Sequence, residues 1–372
     1  MQKQLHVALV YNVRPENSPV DKKEIEEISE DEGAVRGGGD AGVLTASRTQ
    51  SRKTKSDTYA EWDTEETILA VESALKLQHK VTLIEANEEA CQKLLAVQPD
   101  IVFNIAEGFH GPSREAQIPA ILDLLKIPYT GSDPVTLGIC LDKSRTKEIL
   151  SYHRVPTPQF AVIGDLGQLA SERLVLPAIV KPVHEGSSKG ISNASVVRTK
   201  AALRQQVENI LKEYEEPVLV EKFLPGREFT VALIGNGIDL RVLPIVEIRF
   251  DSLPGDVNPI YSYEAKWIWD QAEHPIEVLE CPARVDGMLE SQIKDLCSKT
   301  FDVLRCRDWC RIDIRLDEQG RPHVLEVNPL PGILPNPKEH SSFPRAARTA
   351  GFDYNGMINA VLDTALSRNG LR

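Results

Sequence analysis

Four polar residues near the C-terminus have types and a spacing that could support chemistry. The segments 311–315 and 325–328 alternate polar with bulky apolar residues, and the segment 317–320 between them has a composition that favours a tight turn. This alternation predicts a β-hairpin with one polar and one apolar face. The polar face comprises Arg311, Asp313, Glu326 and Asn328, and the apolar face comprises Ile312, Ile314, Leu325 and Val327.

The polar face of this hairpin has the composition of a magnesium–nucleotide site. Carboxylate and amide oxygens are ligands that Mg²⁺ accepts, usually together with phosphate oxygens of a substrate. Asp313, Glu326 and Asn328 are therefore candidate metal ligands. The guanidinium of Arg311 can bind an anion or stabilise developing negative charge. A solvated hairpin face with surface ion pairs fits the same pattern, so the hairpin alone leaves both interpretations open.

A Gly/Ser-rich loop after an apolar strand is a second candidate element. Lys181 lies near the end of the predicted strand 178–183, and the loop 184–191 contains Ser187 and Ser188 between glycines. Glycines let backbone amides approach phosphate oxygens, hydroxyl groups add donors, and a lysine adds positive charge. The loop lacks the G-x-x-x-x-G-K-[ST] pattern, and by itself it also fits a surface turn.

The predicted strand 218–223 could hold a flat base. Its final residues, Glu221 to Leu224, would offer alternating backbone donors and acceptors at a strand edge, between apolar side chains. Glu228 could accept hydrogen bonds from ribose hydroxyls. Each of these residues taken singly also fits an ordinary charged strand end.

Composition excludes several classes of protein. A chain of 372 residues is long enough for two or three domains, and its net charge of −12 argues against a general nucleic-acid binder. No apolar run approaches membrane-spanning length, and the short run 7–11 predicts a first strand and not a signal peptide. The six cysteines lack zinc-site spacing, which indicates free thiols in a reducing cytoplasm.

The N-terminal part alternates predicted strands and helices, which favours a parallel α/β domain. The strands are 6–12, 81–84 and 101–104, and the helices are 65–77, 87–97 and 118–125, the second with Asn87 as its expected N-cap. The segment 15–57 differs sharply, because it is rich in acidic residues, then glycine, then Ser, Thr, Lys and Arg. It predicts a mobile insertion, with an active-site lid or a partner-binding tail as the alternative.

The remaining chain mixes strands and helices in a different order. Helices are predicted over 143–153, 201–212 and 287–304, and strands over 178–183, 218–223, 229–234 and 240–248. The last two strands are joined around Gly235-Asn236-Gly237, a favourable hairpin turn.

The order of these motifs resembles the ATP-grasp superfamily, and within it the D-alanine:D-alanine ligases. The resemblance covers nearly the whole chain outside 15–57. The stretches that carry it are His110-Gly111-Pro112, Ile127-Pro128-Tyr129-Thr130-Gly131-Ser132, Leu141-Asp142-Lys143, Ile179-Val180-Lys181-Pro182, Glu185-Gly186-Ser187-Ser188, Tyr263-Glu264-Ala265-Lys266, Arg311-Ile312-Asp313, Leu325-Glu326-Val327-Asn328, Pro331-Gly332 and Pro344-Arg345-Ala346-Ala347-Arg348.

The resemblance implies an α/β fold, α+β in its ATP-grasp part. It implies a Rossmann-like N-terminal domain over 1–139, a central lobe over 140–217, and a C-terminal lobe with the metal and substrate site over 218–372. The implied activity is an ATP-dependent carboxylate–amine ligase that makes a dipeptide through an acyl phosphate, with D-alanine as first candidate and peptidoglycan biosynthesis as the setting. A homodimer is expected from the fold alone.

The resemblance also implies roles for the matching residues on the nucleotide side. The phosphate ligands are Lys143, Lys181 and Lys266, with Ser187 and Ser188 in the loop that covers the phosphates. The residues that frame the adenine are Glu221, Lys222 and Leu224, with Glu228 at the ribose. The ligands of two Mg²⁺ ions, which Mn²⁺ could replace, are Asp313, Glu326 and Asn328.

On the reacting side, Arg311 and the Gly332 amide would stabilise the tetrahedral intermediate, with Ser187 beside them. Ser341 would meet the carboxylate of the second amino acid, and His110 and Trp267 would contact substrate. An ordinary loop histidine and a packing tryptophan remain the alternatives for these last two.

The sequence departs from the family pattern on the amino-acid side. The Gly-rich turn after the first strand is missing, and Glu61 or Asp63 could replace the family's glutamate only by position. Ser113-Arg114-Glu115-Ala116 stands where Glu-Asp-Gly is usual, and Trp267 stands where a tyrosine is usual. The alternatives are therefore the same chemistry on another amino acid or peptide, and a nucleotide-binding homologue without turnover.

Overall fold

The computed structural model describes residues 4–15, 59–170, 172–251, 253, 257–262, 278–339 and 341–372. Its N-terminal part contains a three-stranded parallel sheet in the order β2-β1-β3. The strands are His6–Tyr11 (β1), Lys80–Glu85 (β2) and Ile101–Asn104 (β3), and the helices are Glu65–Lys76 (α1), Ala90–Val97 (α2), Gln117–Leu125 (α3) and Pro134–Leu141 (α4). The central residues of β1 are fully buried, as expected for a parallel strand covered on both faces.

The central part is a four-stranded antiparallel sheet in the order β4-β7-β5-β6. Its strands are Phe160–Ile163 (β4), Ala178–Pro182 (β5), Val196–Val197 (β6) and Val218–Lys222 (β7), and its helices are Lys143–Tyr152 (α5) and Lys200–Tyr214 (α6). Apolar residues at helical spacing on α6, including Leu203, Val207 and Ile210, pack against the sheet, which fixes the position of the loop after β5.

The C-terminal part is a six-stranded antiparallel sheet in the order β11-β10-β8-β12-β13, with β9 also paired to β8. Its strands are Glu228–Ile234 (β8), Arg241–Val242 (β9), Val246–Ile248 (β10), Leu279–Glu280 (β11), Trp309–Leu316 (β12) and Pro322–Asn328 (β13), and its helices are Gly287–Val303 (α7), Ser342–Thr349 (α8) and Tyr354–Arg368 (α9). Phe229, Ile312 and Val327 on one face of this sheet share a core with α7, so the polar residues of the same strands lie on the opposite face.

An aromatic stack joins the N-terminal and C-terminal parts. The fully buried ring of Trp309 makes edge-on contacts with Phe103 and Phe343, with ring centroids 5.8 and 5.7 Å apart. The amide nitrogen of the Asn359 side chain on α9 donates to the carbonyl oxygen of Ala74 on α1 at 2.9 Å. The two parts therefore share one core.

The predicted α/β fold is confirmed, but several local predictions were wrong or missing. The helix expected from Asn87 begins at Ala90, because the Asn87 side chain accepts from the Glu89 amide in a turn. The single strand expected over 240–248 is two short strands, β9 and β10. Several elements were not predicted, namely helices α4, α8 and α9 and strands β4, β6 and β11.

The segment 16–58 lies outside the described residues, so the predicted insertion stays a prediction, as do the domain boundaries. Within the described part of the chain, no helix is long and apolar enough to cross a membrane. All six cysteines are free.

Candidate active site

A cavity of about 230 Å³ lies between the central and C-terminal sheets. It brings together most of the predicted site residues. Those that line it are Lys181, Ser187, Ser188, Glu221, Lys222, Leu224, Glu228, Arg311, Asp313, Glu326, Asn328, Gly332 and Ser341. Their convergence excludes the alternative of an ordinary solvated hairpin.

The predicted hairpin is formed by β12 and β13, and its polar face is compact. Arg311 pairs with Asn328 across the strands, and Asp313 pairs with Glu326. The Arg311 guanidinium donates to both carboxylate oxygens of Asp313 at 3.1 and 3.0 Å, and the Asn328 amide nitrogen donates to Asp313 at 3.2 Å. Lys143 lies 3.3 Å from Glu326. Two carboxylates and an amide thus face one point, each held by a partner.

A β-bulge makes the predicted apolar face of the hairpin wrong at one residue. The register shifts between Asp313 and Ile314, so Ile314 pairs with Val324 and Leu325 has no partner of its own. Val324 is fully buried in the core, whereas Leu325 lines the cavity. The assignment of Leu325 to the core face was therefore wrong, and this residue adds an apolar wall to the site.

Two buried lysines share one buried carboxylate beside the cavity. The Glu221 carboxylate lies 2.8 Å from the Nζ atom of Lys147 and 2.7 Å from that of Lys181. Burial alone would raise the pKa of Glu221, but the two ammonium groups lower it to about 2. Lys147 was not predicted as a site residue, although it lies one helical turn after Lys143 on α5.

The predicted base-binding edge needs a correction. β7 is an interior strand between β4 and β5, and the amides of Lys222 and Phe223 donate to the carbonyl oxygens of Gln159 and Pro177 at 2.8 and 2.9 Å. These amides are not available to a ligand. Only the segment that follows, from Leu224, leaves the sheet beside the cavity.

The Gly/Ser loop is held over the cavity from several sides. The Nζ atom of Lys143 donates to the carbonyl oxygen of Glu185, and the Ser188 hydroxyl donates to the carbonyl oxygen of Tyr261 at 2.9 Å. Ser187 and Ser188 have φ angles of +50° and +62°, a backbone conformation that non-glycine residues adopt at a cost. Such conformations persist where the surrounding contacts enforce them, as they do here.

An ion-pair network that the sequence did not reveal ties this loop to the N-terminal part. The Glu61 carboxylate accepts from Arg114 at 2.7 Å, from the Gly186 amide at 2.8 Å and from Lys189 at 3.1 Å. Arg114 and Lys189 also contact Glu185. Burial alone would raise the pKa of Glu61, but the two cations lower it to about 2. Glu61 was named only as a substitute by position, and Arg114 and Lys189 were not predicted.

A second cavity of about 100 Å³ adjoins the first on the N-terminal side. Glu107 and Glu115 line it together with Lys143, Arg311 and Gly332. Burial raises the pKa of Glu107 well above its usual range, and burial raises that of Glu115 to about 8 against the opposing charge of Arg114. Glu107 and Glu115 are therefore hard to ionise in the folded protein.

One predicted substrate residue, His110, is not brought to the cavities. His110 is exposed and lines neither cavity, and its ring packs edge-on against Phe109 with centroids 4.5 Å apart. The predicted contact of His110 with substrate is therefore not supported by its placement. Lys266 and Trp267 lie outside the described residues. Ser341 does line the larger cavity, and its hydroxyl donates to the carbonyl oxygen of Gly332 at 3.1 Å.

One end of the larger cavity contains a residue for which the sequence predicted no role. The guanidinium of Arg315 donates to the Glu228 carboxylate at 2.6 Å and is almost fully buried. Arg315 follows Arg311 and Asp313 at two-residue spacing on β12, so the alternation that identified those two also places Arg315 on the polar face.

Comparison with known proteins identifies the family to which the chain belongs. The family model for the D-ala D-ala ligase C-terminus matches residues 156–363. An uncharacterized protein, y4sG, of Sinorhizobium fredii is 38% identical over 274 residues, covering 74% of this chain and 77% of that protein. The D-alanine–D-alanine ligase of Bordetella pertussis is 35% identical over 286 residues, covering 76% of this chain and 84% of the ligase.

A solved structure has the same fold as this chain. The crystal structure of D-alanine–D-alanine ligase from Bacillus anthracis complexed with ATP superposes with a TM-score of 0.65 at 20% identity and covers 99% of both chains. A second structure of the Bacillus anthracis enzyme gives a TM-score of 0.68. The chain therefore belongs to the D-alanine–D-alanine ligase family of ATP-grasp ligases, as its motifs predicted.

Proposed function

We propose that this ligase joins two D-alanine molecules into a dipeptide and uses ATP to activate the carboxylate of the first as an acyl phosphate. The observation that carries the proposal is the larger cavity, which brings lysines, carboxylates, Arg311 and Gly332 together. Each of these groups suits a different part of the reaction, and the family's motif order supports the same assignment.

The larger cavity suits ATP along its whole length. Apolar side chains at one end, including Phe223, Leu224 and Leu279, would contact the base, and Glu228 would accept from the ribose hydroxyls. Lys143 and Lys181 would bind the phosphates, with Ser187 and Ser188 in the covering loop. Lys222 would contribute through its backbone carbonyl, and Lys266 keeps its predicted role at the phosphates.

The predicted metal ligands fit Mg²⁺. Asp313, Glu326 and Asn328 are hard oxygen donors that converge on one face of the hairpin. Among the described residues, no group of three or more His, Cys, Asp or Glu side chains is arranged to hold a metal, so phosphate oxygens would complete the coordination. When bound, Mg²⁺ would offset negative charge on the phosphoryl group. We propose two ions, which Mn²⁺ could replace because it accepts the same ligands.

The residues of the site can support both chemical steps. A carboxylate is a poor acyl donor, because its leaving group would be oxide. Attack of a carboxylate oxygen on the γ-phosphorus of ATP releases ADP and gives an acyl phosphate, while Lys143 and Lys181 offset the charge. The amine of the second amino acid then attacks the acyl carbon. Arg311 and the Gly332 amide would stabilise the oxyanion until phosphate leaves.

Protection from water is the remaining requirement. An acyl phosphate hydrolyses if water reaches it, and the Gly/Ser loop with Ser187 covers the site from the central lobe. Ser341 would meet the carboxylate of the second amino acid. The residues on the N-terminal side that depart from the family pattern would affect which amino acid is accepted. They would leave the activation step unchanged.

A phosphate-release assay with ATP, Mg²⁺ and a panel of D- and L-amino acids tests the proposal, with the dipeptide identified by mass spectrometry. Release with D-alanine and formation of its dipeptide are expected. Release with a different amino acid only would overturn the D-alanine assignment and keep the ligase chemistry. No release with any amino acid would favour a nucleotide-binding homologue without turnover. Size-exclusion chromatography of the same sample tests the expected homodimer.

A further inference from the structure

Arg315 makes an unusually complete set of contacts for an arginine at a nucleotide pocket. Its Nη1 atom donates to the Glu228 carboxylate at 2.6 Å, and its Nη2 atom donates to the carbonyl oxygen of Pro259 at 2.7 Å. The guanidinium lies over the ring of Phe223 at 4.8 Å and over that of Phe250 at 5.4 Å. The residue is only 3% exposed. Four separate segments therefore meet at one side chain.

The position of this side chain couples it to the ribose end of the cavity. Arg315 and Glu228 are direct cross-strand neighbours on β12 and β8, and both line the larger cavity. Phe223 follows β7, and Pro259 belongs to the segment 257–262, so Arg315 connects the carboxylate to both walls of the pocket. Its Nε atom is buried and has no hydrogen-bond partner among the described residues.

A buried cation of this kind is costly unless it serves a specific partner. Burying a charged group without compensation costs several kcal/mol, and apolar residues of similar size usually pack such a position as well or better. Here the compensation is one short hydrogen bond to a carboxylate, one to a carbonyl and two aromatic faces. Because Glu228 uses one oxygen for Arg315, its orientation is fixed and the other oxygen is available to a ligand.

We propose that Arg315 is a positioning residue for the nucleotide, which holds the Glu228 carboxylate where it meets the ribose hydroxyls. The inference rests on the proposed nucleotide site. Arg315 acts through Glu228 and has no direct role in phosphoryl transfer. Ribose recognition in this protein therefore depends on both Arg315 and Glu228. The loss of either residue should weaken the preference for a nucleotide that has ribose hydroxyls.

The test compares two nucleotides in equilibrium binding. Isothermal titration calorimetry with Mg²⁺ and no amino acid measures the dissociation constants of ATP and of 2′,3′-dideoxy-ATP, which lacks both hydroxyls. We expect the wild type to bind ATP about 10- to 100-fold more tightly, the range for hydrogen bonds to a charged group. Arg315→Met should weaken ATP binding about tenfold and change dideoxy-ATP binding less than about threefold.

Matched variants separate positioning from packing. Arg321→Met removes an arginine of the same hairpin that is 69% exposed and paired with Asp317, and it should change neither constant. Arg315→Lys keeps the charge and should retain part of the preference for ATP, and it replaces the methionine variant if that variant does not fold. In a Glu228→Gln background, Arg315→Met should have no further effect on the ratio of the two constants.

The outcomes distinguish this inference from the proposed function. Equal weakening of both nucleotides by Arg315→Met would assign Arg315 a packing role and overturn the inference. A wild type that binds ATP and dideoxy-ATP equally would overturn it as well, without affecting the ligase proposal. A wild type that binds no ATP would contradict the proposed function itself.

Discussion

The nucleotide half and the amino-acid half of the cleft differ in how their charged groups are paired. In the nucleotide half, Arg311 pairs with Asp313 on its own strand, and Arg315 pairs with Glu228, its direct neighbour on the adjacent strand, although these two residues are 87 positions apart in the sequence. In the amino-acid half, Glu61 pairs with Arg114 and Lys189, which lie 53 and 128 positions away and outside the strands. The pairs on the sheet face are thus set by strand alternation and strand pairing, whereas the pairs around Glu61 form only where segments outside the sheets meet.

The largest expected effect is in the nucleotide half. Glu326→Gln removes one of two carboxylates on the hairpin face, and we expect kcat to fall by about 10²–10³-fold or more, the cost of losing a preorganised charged group. Thermal unfolding should stay close to that of the wild type, because Glu326 is about a quarter exposed. The steady-state rate of phosphate release and the melting temperature are the measurements.

Glu318→Gln is the matched control for this substitution. Glu318 lies in the turn of the same hairpin, is exposed and forms a surface ion pair with Lys222, so its loss should leave kcat unchanged. Wild-type activity in Glu326→Gln would show that Glu326 is not a required metal ligand.

The next effect is on stability and lies in the amino-acid half. Arg114→Met leaves two buried carboxylates, Glu61 and Glu185, with Lys189 as their remaining cation. We expect the free energy of unfolding to fall by about 3–5 kcal/mol, the cost of breaking a buried ion pair. Urea unfolding measures it, and Arg145→Met, which removes an exposed pair with Glu148, should cost less than about 1 kcal/mol. Similar losses in the two variants would show that the Glu61 network is not a buried ion pair.

The smallest effect is a pH dependence in the same half. Burial raises the pKa of Glu115 to about 8, so its protonated form is favoured in the folded state. The resulting stability is fully present below the unfolded pKa near 4.5 and is lost progressively as pH rises from there to the folded pKa of about 8. The free energy of unfolding of the wild type should therefore fall relative to that of Glu115→Gln by about 2 kcal/mol between about pH 6 and pH 7.5. Urea unfolding at both pH values measures the difference, and a constant difference would contradict the raised pKa.

Much of the nucleotide half could be predicted from the sequence, because its signals are local. The two-residue period of the hairpin identified the polar face, and the glycines identified the loop that lines the larger cavity. The same period also placed Arg315 on that face, but no role was assigned to it. Leu325 was assigned to the wrong face because a bulge adds one residue to a strand without changing the local composition.

There is a physical reason why the amino-acid half could not be predicted from the sequence. An arginine in a loop and a glutamate in another segment reveal nothing of their pairing until the fold closes, so the contact between Arg114 and Glu61 had no local signal. The prediction of a base-binding strand edge was wrong for a related reason. Sequence identified β7 as a strand, but its interior place in the sheet depends on β4 and β5, which lie on either side of it.

The acyl-phosphate route is the central claim, and it is tested most directly by following one oxygen atom of the D-alanine carboxylate. D-Alanine with ¹⁸O in both carboxylate positions is incubated with the wild-type enzyme, ATP and Mg²⁺, and the released phosphate is examined by mass spectrometry. If the carboxylate attacks the γ-phosphorus, the phosphate that leaves the acyl phosphate carries one ¹⁸O atom. Dipeptide formation with unlabelled phosphate would contradict the acyl-phosphate route and the roles given to the nucleotide half.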